Sequence, residues 1–199
     1  MNDSQQTKKA VGWIEQVVGT VHHFYISGQI KGPEEYTDWF HIIRSAGAGD
    51  HIYIHLNSQG GNAFTTVQLM RALNESQAKV ITSAEGLVAS AATMIFLCGD
   101  QCEVSDHSAF MFHTFSSASF GKSSEMYAQV ALEKSWGEKL LKSVYKDFLK
   151  PDEVKQIIAG QDMWMETEEV ITRLEQRKEA NETPIKKEIK RKPRKKKNV

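Results

Sequence analysis

Cysteine is scarce in this chain: only Cys98 and Cys102 occur in 199 residues. Two are too few for a disulfide framework, and their spacing is not that of a zinc knuckle. Neither a stapled secreted fold nor a metal module is expected. Both read as half-buried thiols. No apolar run approaches the roughly 20 residues that a membrane span needs. Met1 to Ala10 is polar and holds no apolar signal-peptide core. These absences point to an unexported, cytoplasmic protein without a membrane partner. Net charge is lacking too, since 25 Lys and Arg offset 25 Asp and Glu.

That balance hides a segregation. From Lys186 onward there are nine Lys or Arg against a single acid, Glu188, which leaves 16 basic and 24 acidic residues in the body. Such a tail has nothing to bury and reads as disordered. It suits binding to nucleic acid or to an acidic protein face, and a solvated tail without a partner is the equal alternative. The length and 40% hydrophobic content suit one domain with tails. The boundaries expected are a leader over 1–19, helical around Trp13, Ile14 and Val17, a domain over 20–180 and the basic tail over 181–199.

Within the domain, hydrophobic period and turn chemistry alternate between strand and helix. His23 to Ile30 reads as a first strand. Gly32-Pro33 opens a helix, because proline is favoured at the first helical position, and Tyr36, Phe40 and Ile43 recur on its inner face. Gly47 and Gly49 end it. Ile52, Ile54 and Leu56 share one face of a strand, and Asn57 to Gly61 reads as a tight turn. Asn62 then caps a helix that carries Val67, Met70 and Leu73 inward. Lys79 to Ser83 reads as a strand, and the small and apolar run Gly86 to Leu97 as one buried helix. Short strands follow at Cys102 to Val104 and Ala109 to His113, then a polar segment over Ser116 to Gly121. Lys122 to Leu149 has no proline and one glycine. It predicts a long helix with Met126, Val130, Leu140 and Val144 as its stripe. A short helix from Pro151, a strand at Trp164 and a final helix over Glu166 to Glu179 complete an α/β pattern with crossover connections.

Three segments carry chemistry. Asn57-Ser58-Gln59-Gly60-Gly61 lies between a strand and a helix. Its glycines permit positive φ and close approach, and free amides there can face an anion. Ser90, in Gly86-Leu87-Val88-Ala89-Ser90, has small neighbours that let a substrate reach its hydroxyl. His113 ends the apolar run Ala109 to Phe112, where a chain leaves a core, and histidine is the side chain suited to general-base work near neutral pH. Each segment alone has a bland reading: a turn, a packed serine, a structural histidine.

In order, the three resemble the Clp peptidase family, the proteolytic subunits that work with AAA+ unfoldases. The family shows a glycine pair preceded by Asn-Ser, a Gly-x-x-Ala-Ser turn and a Met-x-His strand end. Here these are Asn57 to Gly61, Gly86 to Ser90 and Met111-Phe112-His113, and Phe24 to Gly28 is similar to the family's first strand. The resemblance spans about Val21 to Glu169. It implies a ClpP/crotonase-like α/β fold, a repeated β-β-α spiral with a long handle helix.

The resemblance also implies a serine endopeptidase with Ser90 as nucleophile, His113 as base and Asp162 as orienting acid. The amides of Gly60 or Gly61 and of Ala91 would form the oxyanion hole. No cofactor or metal is implied. The substrate would be a peptide or unfolded protein, held in the chamber of homo-oligomeric rings, stacked heptamers that could dock an AAA+ unfoldase. Three departures mark a divergent member. Gln59 stands in place of a proline, the acid is weakly placed by alignment, with Asp106 and Asp152 as alternatives, and the basic tail is not a family feature. Competing readings are an inactive Clp-like ring scaffold, crotonase-type acyl-CoA chemistry and a lysine base, for which Lys122 is nearest in sequence.

Overall fold

A computed structural model of the chain describes residues 19–116 and 121–182. The leader around Trp13, most of the polar segment before Gly121 and the basic tail lie outside the described residues. Six strands form one sheet with spatial order β1-β2-β3-β5-β6, and β4 pairs with β3 beside β5. The strands are β1 (Val21–Ile30), β2 (His51–Gly61), β3 (Lys79–Ala89), β4 (Gln101–Val104), β5 (Ala109–Phe112) and β6 (Met163–Glu166). All pairings are parallel except β5 with β6. Parallel neighbours need crossovers, which the sequence supplies as helices.

The crossover helices are α1 (Thr37–Ser45), preceded by a 3-10 turn at Pro33–Tyr36, then α2 (Ala63–Glu75) and α3 (Ala91–Phe96). Tyr36, Phe40 and Ile43 are buried as their spacing predicts. Asn62 caps α2 by accepting from the Thr65 N–H at 2.9 Å. The expected inward stripe of that helix is rotated. Leu69, Ala72 and Leu73 are buried with Thr65 and Thr66, while Val67 and Met70 are only half-buried. On β2, Ile52, Ile54 and Leu56 point to the core with period two.

Two elements differ in kind from the sequence expectation. Asn57 to Gly61 is no turn: β2 runs through it to Gly61. The two glycines are held in the strand by pairing with Gln29 and Ile30 of β1, an environment that a free turn would lack. Gly86 to Leu97 is likewise not one helix. β3 continues to Ala89, and the helix starts only at Ala91. Ladder bonds to β2 and β5 outweigh the weak local preference of a small-residue run, as tertiary context commonly does.

The long helix α4 (Ser123–Tyr145) is also shorter than expected, and its buried residues are Gly137, Leu141 and Tyr145. Leu140 and Val144 pack against the core, whereas Val130 is exposed. α5 (Pro151–Ile158) and α6 (Thr167–Glu182) follow. The guanidinium of Arg173 on α6 clasps Glu153 on α5 through two bonds of 2.8 Å and also bonds Glu169 at 2.7 Å. Both cysteines are free and half-buried, and burial pushes the Cys98 thiol up to about 12. No helix among the described residues is long and apolar enough to cross a membrane.

Candidate active site

The eleven-residue strand β3 organises the site by having two partners on one edge. Its first half, Ile81 to Ala84, pairs with β4, and its end, Leu87 to Ala89, pairs with β5. Ala89 therefore stands opposite Met111, and the Ser90 N–H donates to the Met111 carbonyl at 2.8 Å. The chain leaves the sheet at Ser90 with φ 55° and ψ −126°, then enters α3. Side chains rarely adopt that conformation, and it projects the hydroxyl out of a sharp strand-to-helix turn. His113 leaves β5 at the same level. Its Nε2 lies 2.7 Å from Ser90 Oγ.

Antiparallel pairing places the acid. Phe112 stands opposite Met163, so the register continues from His113 to Asp162. His113 Nδ1 and Asp162 Oδ1 are 4.0 Å apart, beyond hydrogen-bond distance, and the Asp162 side chain is 59% exposed. The alternatives lie elsewhere. Asp152 bonds Lys155 at 2.8 Å on the surface of α5, and Asp106 is exposed in the turn between β4 and β5. Lys122 is 84% exposed beside Glu125.

The glycine segment abuts the serine. Gly60 has φ +93°, and a Cβ there would stand 2.7 Å from the Ser90 Cβ and 2.9 Å from the Ala91 nitrogen. Only glycine lets β2 come this close to the turn. The Gly60 N–H is already engaged, donating to Ser58 Oγ at 3.0 Å. Gly61 is oriented differently. It stands opposite Ile30 on β1, and the next amide, Asn62 N–H, donates to the Ile30 carbonyl at 2.9 Å. Successive strand amides point to opposite edges, so the Gly61 N–H is turned away from β1, and Gly61 borders the cleft that holds Ser90.

Ser90, His113, Gly60, Gly61 and Ala91 line one cleft of ≈ 660 Å³. Its far wall is aromatic. Phe64 of α2 stacks on Trp136 of α4 with centroids 4.9 Å apart, and Phe115 meets Trp136 at 5.5 Å. Gly137 has no side chain to displace Phe115, whose ring a Cβ would meet at 2.6 Å.

Sequence reading assigned no task to Asn57, Ser58, Thr93 or Tyr145. Asn57 Oδ1 accepts from the Leu87 N–H at 3.1 Å, where β3 bulges away from β2. Thr93 Oγ1 bonds the Ser90 carbonyl at 2.6 Å and the wholly buried Tyr145 hydroxyl at 2.7 Å, tying the serine turn to α4. Burial raises the Tyr145 hydroxyl well above the ordinary phenol range, so it stays protonated and able to donate. Of these only Thr93, a hydroxyl within an apolar run, could have drawn attention from sequence alone. Among the described residues, no cluster of His, Cys, Asp or Glu is arranged to hold a metal ion.

The family described as Clp protease has a model that matches residues 32–173, more than half of the chain. No curated protein matches the chain.

Proposed function

Because this chain belongs to the Clp protease family, we propose that it is a serine endopeptidase, cutting unfolded polypeptides inside an oligomeric chamber. The observation that carries the reading is the 2.7 Å contact between Ser90 Oγ and His113 Nε2 at the floor of a cleft. Nucleophile and base within hydrogen-bond reach is the arrangement acyl transfer requires. His113 Nε2 takes the Ser90 proton as Oγ bonds the scissile carbonyl carbon. The charge that develops on the carbonyl oxygen meets the N–H groups of Gly61 and Ala91. Collapse of the intermediate breaks the C–N bond, and the departing amine takes its proton from His113. Water, deprotonated by His113, then attacks the acyl carbon, and Ser90 Oγ leaves with the proton that His113 returns.

Asp162 orients the imidazole in this scheme and stabilises its charged form. Fixed amides in the cleft supply most of the electrostatic stabilisation, as they do in acyl transfer generally. Members of the family form oligomeric rings, and stacked heptamers are the assembly proposed for this chain.

A second reading, an inactive ring subunit, draws on the 4.0 Å gap between His113 and the exposed Asp162. One experiment separates the two. A fluorophosphonate should label Ser90, and the labelled protein should lose hydrolysis of a fluorogenic peptide. Ser90→Ala should take up no label. An unlabelled wild-type protein would support the scaffold.

A further inference from the structure

The strand that holds Gly60 and Gly61 carries a fault in its pairing. Between β1 and β2 the register runs evenly from Val21↔His51 to Ser27↔Asn57, then shifts and resumes at Gln29↔Gly60. Gly28 on β1 and Ser58 and Gln59 on β2 are left out of the ladder. Gly28 has φ +87°, a bulge conformation. A bulge breaks ladder bonds, and buried backbone groups without partners are costly.

Ser58 fills the fault. It is 1% exposed. Its hydroxyl donates to the Gly28 carbonyl at 2.5 Å and accepts from the Gly60 N–H at 3.0 Å. One oxygen thus replaces the strand-to-strand bond that the bulge removes, and it does so one residue before Gly61. We infer that Ser58 is a positioning residue for the oxyanion hole: its hydroxyl holds Gly60 toward β1 and thereby aims the Gly61 N–H at the carbonyl oxygen attacked by Ser90. This inference rests on the peptidase reading.

The mechanism has a distinctive consequence. Holding a donor where charge develops affects the transition state and leaves ground-state binding alone. Ser58→Ala removes both bonds and frees the glycine segment. It should lower kcat roughly 10- to 100-fold, short of the roughly 10²- to 10³-fold seen when an oxyanion donor is lost outright, with KM within about twofold of wild type. A peptide aldehyde provides the direct probe. Ser90 Oγ bonds its carbon, the Ser90 proton passes to His113, and the resulting oxyanion needs the same donors. Aldehyde affinity should fall in parallel with kcat, while affinity for a cleaved product peptide stays unchanged.

Ser58→Thr keeps the hydroxyl and should restore both kcat and aldehyde affinity. If Ser58→Ala does not fold, Ser58→Cys carries the test, because a thiol is a weak donor and acceptor. An unchanged kcat, or equal losses of aldehyde and product affinity, would overturn the role of Ser58. A wild-type protein that neither cleaves peptide nor reacts with fluorophosphonate would instead overturn the peptidase reading, and this inference with it.

Discussion

At Ser90 the backbone holds φ 55° in a residue with a Cβ. Such positions cost on the order of 1–3 kcal/mol and persist only where the surroundings impose them. Here the imposing groups are the Met111 carbonyl and the Thr93 hydroxyl, which bond the serine's own amide and carbonyl. Two substitutions separate chemistry from strain. Ser90→Ala should cut peptide hydrolysis by roughly 10⁴- to 10⁶-fold, as removal of a triad member does. Ser90→Gly should be equally inactive yet melt at a higher temperature than Ser90→Ala, by about 1 kcal/mol of stability, because glycine relaxes the turn. Equal melting points would mean that the turn stores no strain.

Asp162 calls for a graded outcome. An exposed carboxylate at 4.0 Å interacts weakly through water-screened space. Asp162→Asn should therefore lower kcat by about 10-fold, well short of the roughly 10⁴-fold loss typical of a tightly bonded triad acid. Wild-type turnover in a stopped assay would remove Asp162 from the machinery.

Among the elements, the α5–α6 clasp can be tested by acid. The Arg173 guanidinium holds the Glu153 carboxyl below the ordinary carboxylate range, and both side chains are largely buried. A carboxyl whose folded pKa is lowered adds stability in full above its unfolded value, near pH 4.3. That contribution is lost as pH falls through the folded value. Glu153→Gln should cost on the order of 3 kcal/mol at pH 7, since it leaves Arg173 without its main partner. The difference in melting temperature from wild type should shrink as pH falls below about 4. A gap that stays constant down to pH 3 would show that the charge pair is not what binds the two helices.

For the whole molecule, α4 is where the ring proposal can be tested. Tyr127, Val130 and Leu132 are 79%, 52% and 66% exposed on its N-terminal half. Exposed apolar side chains of this size are what an oligomer interface would cover. Leu140, which the sequence places on the same stripe, instead packs against the core. Charging Leu140 would damage the subunit itself. Val130→Asp with Leu132→Asp should split the particle and leave each subunit folded, with sedimentation showing smaller species and circular dichroism unchanged. Wild-type sedimentation as a monomer at micromolar concentration would end the ring proposal. Truncation before Lys186 should leave assembly intact, because the tail offers little beyond Ile189 and Val199 to bury.

The sequence by itself determined the class of fold and the chemistry available. Period-two burial in β2, the proline-led entry to α1 and the Asn62 cap are local patterns, and local patterns are written in neighbouring residues. Ser90, His113 and the glycine pair stood out because each lies in a short motif, and it was the order of the three together that suggested the site proposed here. Only the tertiary structure decided how these pieces meet. The continuation of β2 through Gly61 and of β3 to Ala89 depends on neighbouring strands, which no local window contains. The register of β5 against β6 sets Asp162 beside His113 across 48 intervening positions in this chain. The use of Ser58 to mend a bulge follows from a mismatch between two strands 30 residues apart. Register is a property of pairs of segments, so it becomes visible only when both are in place.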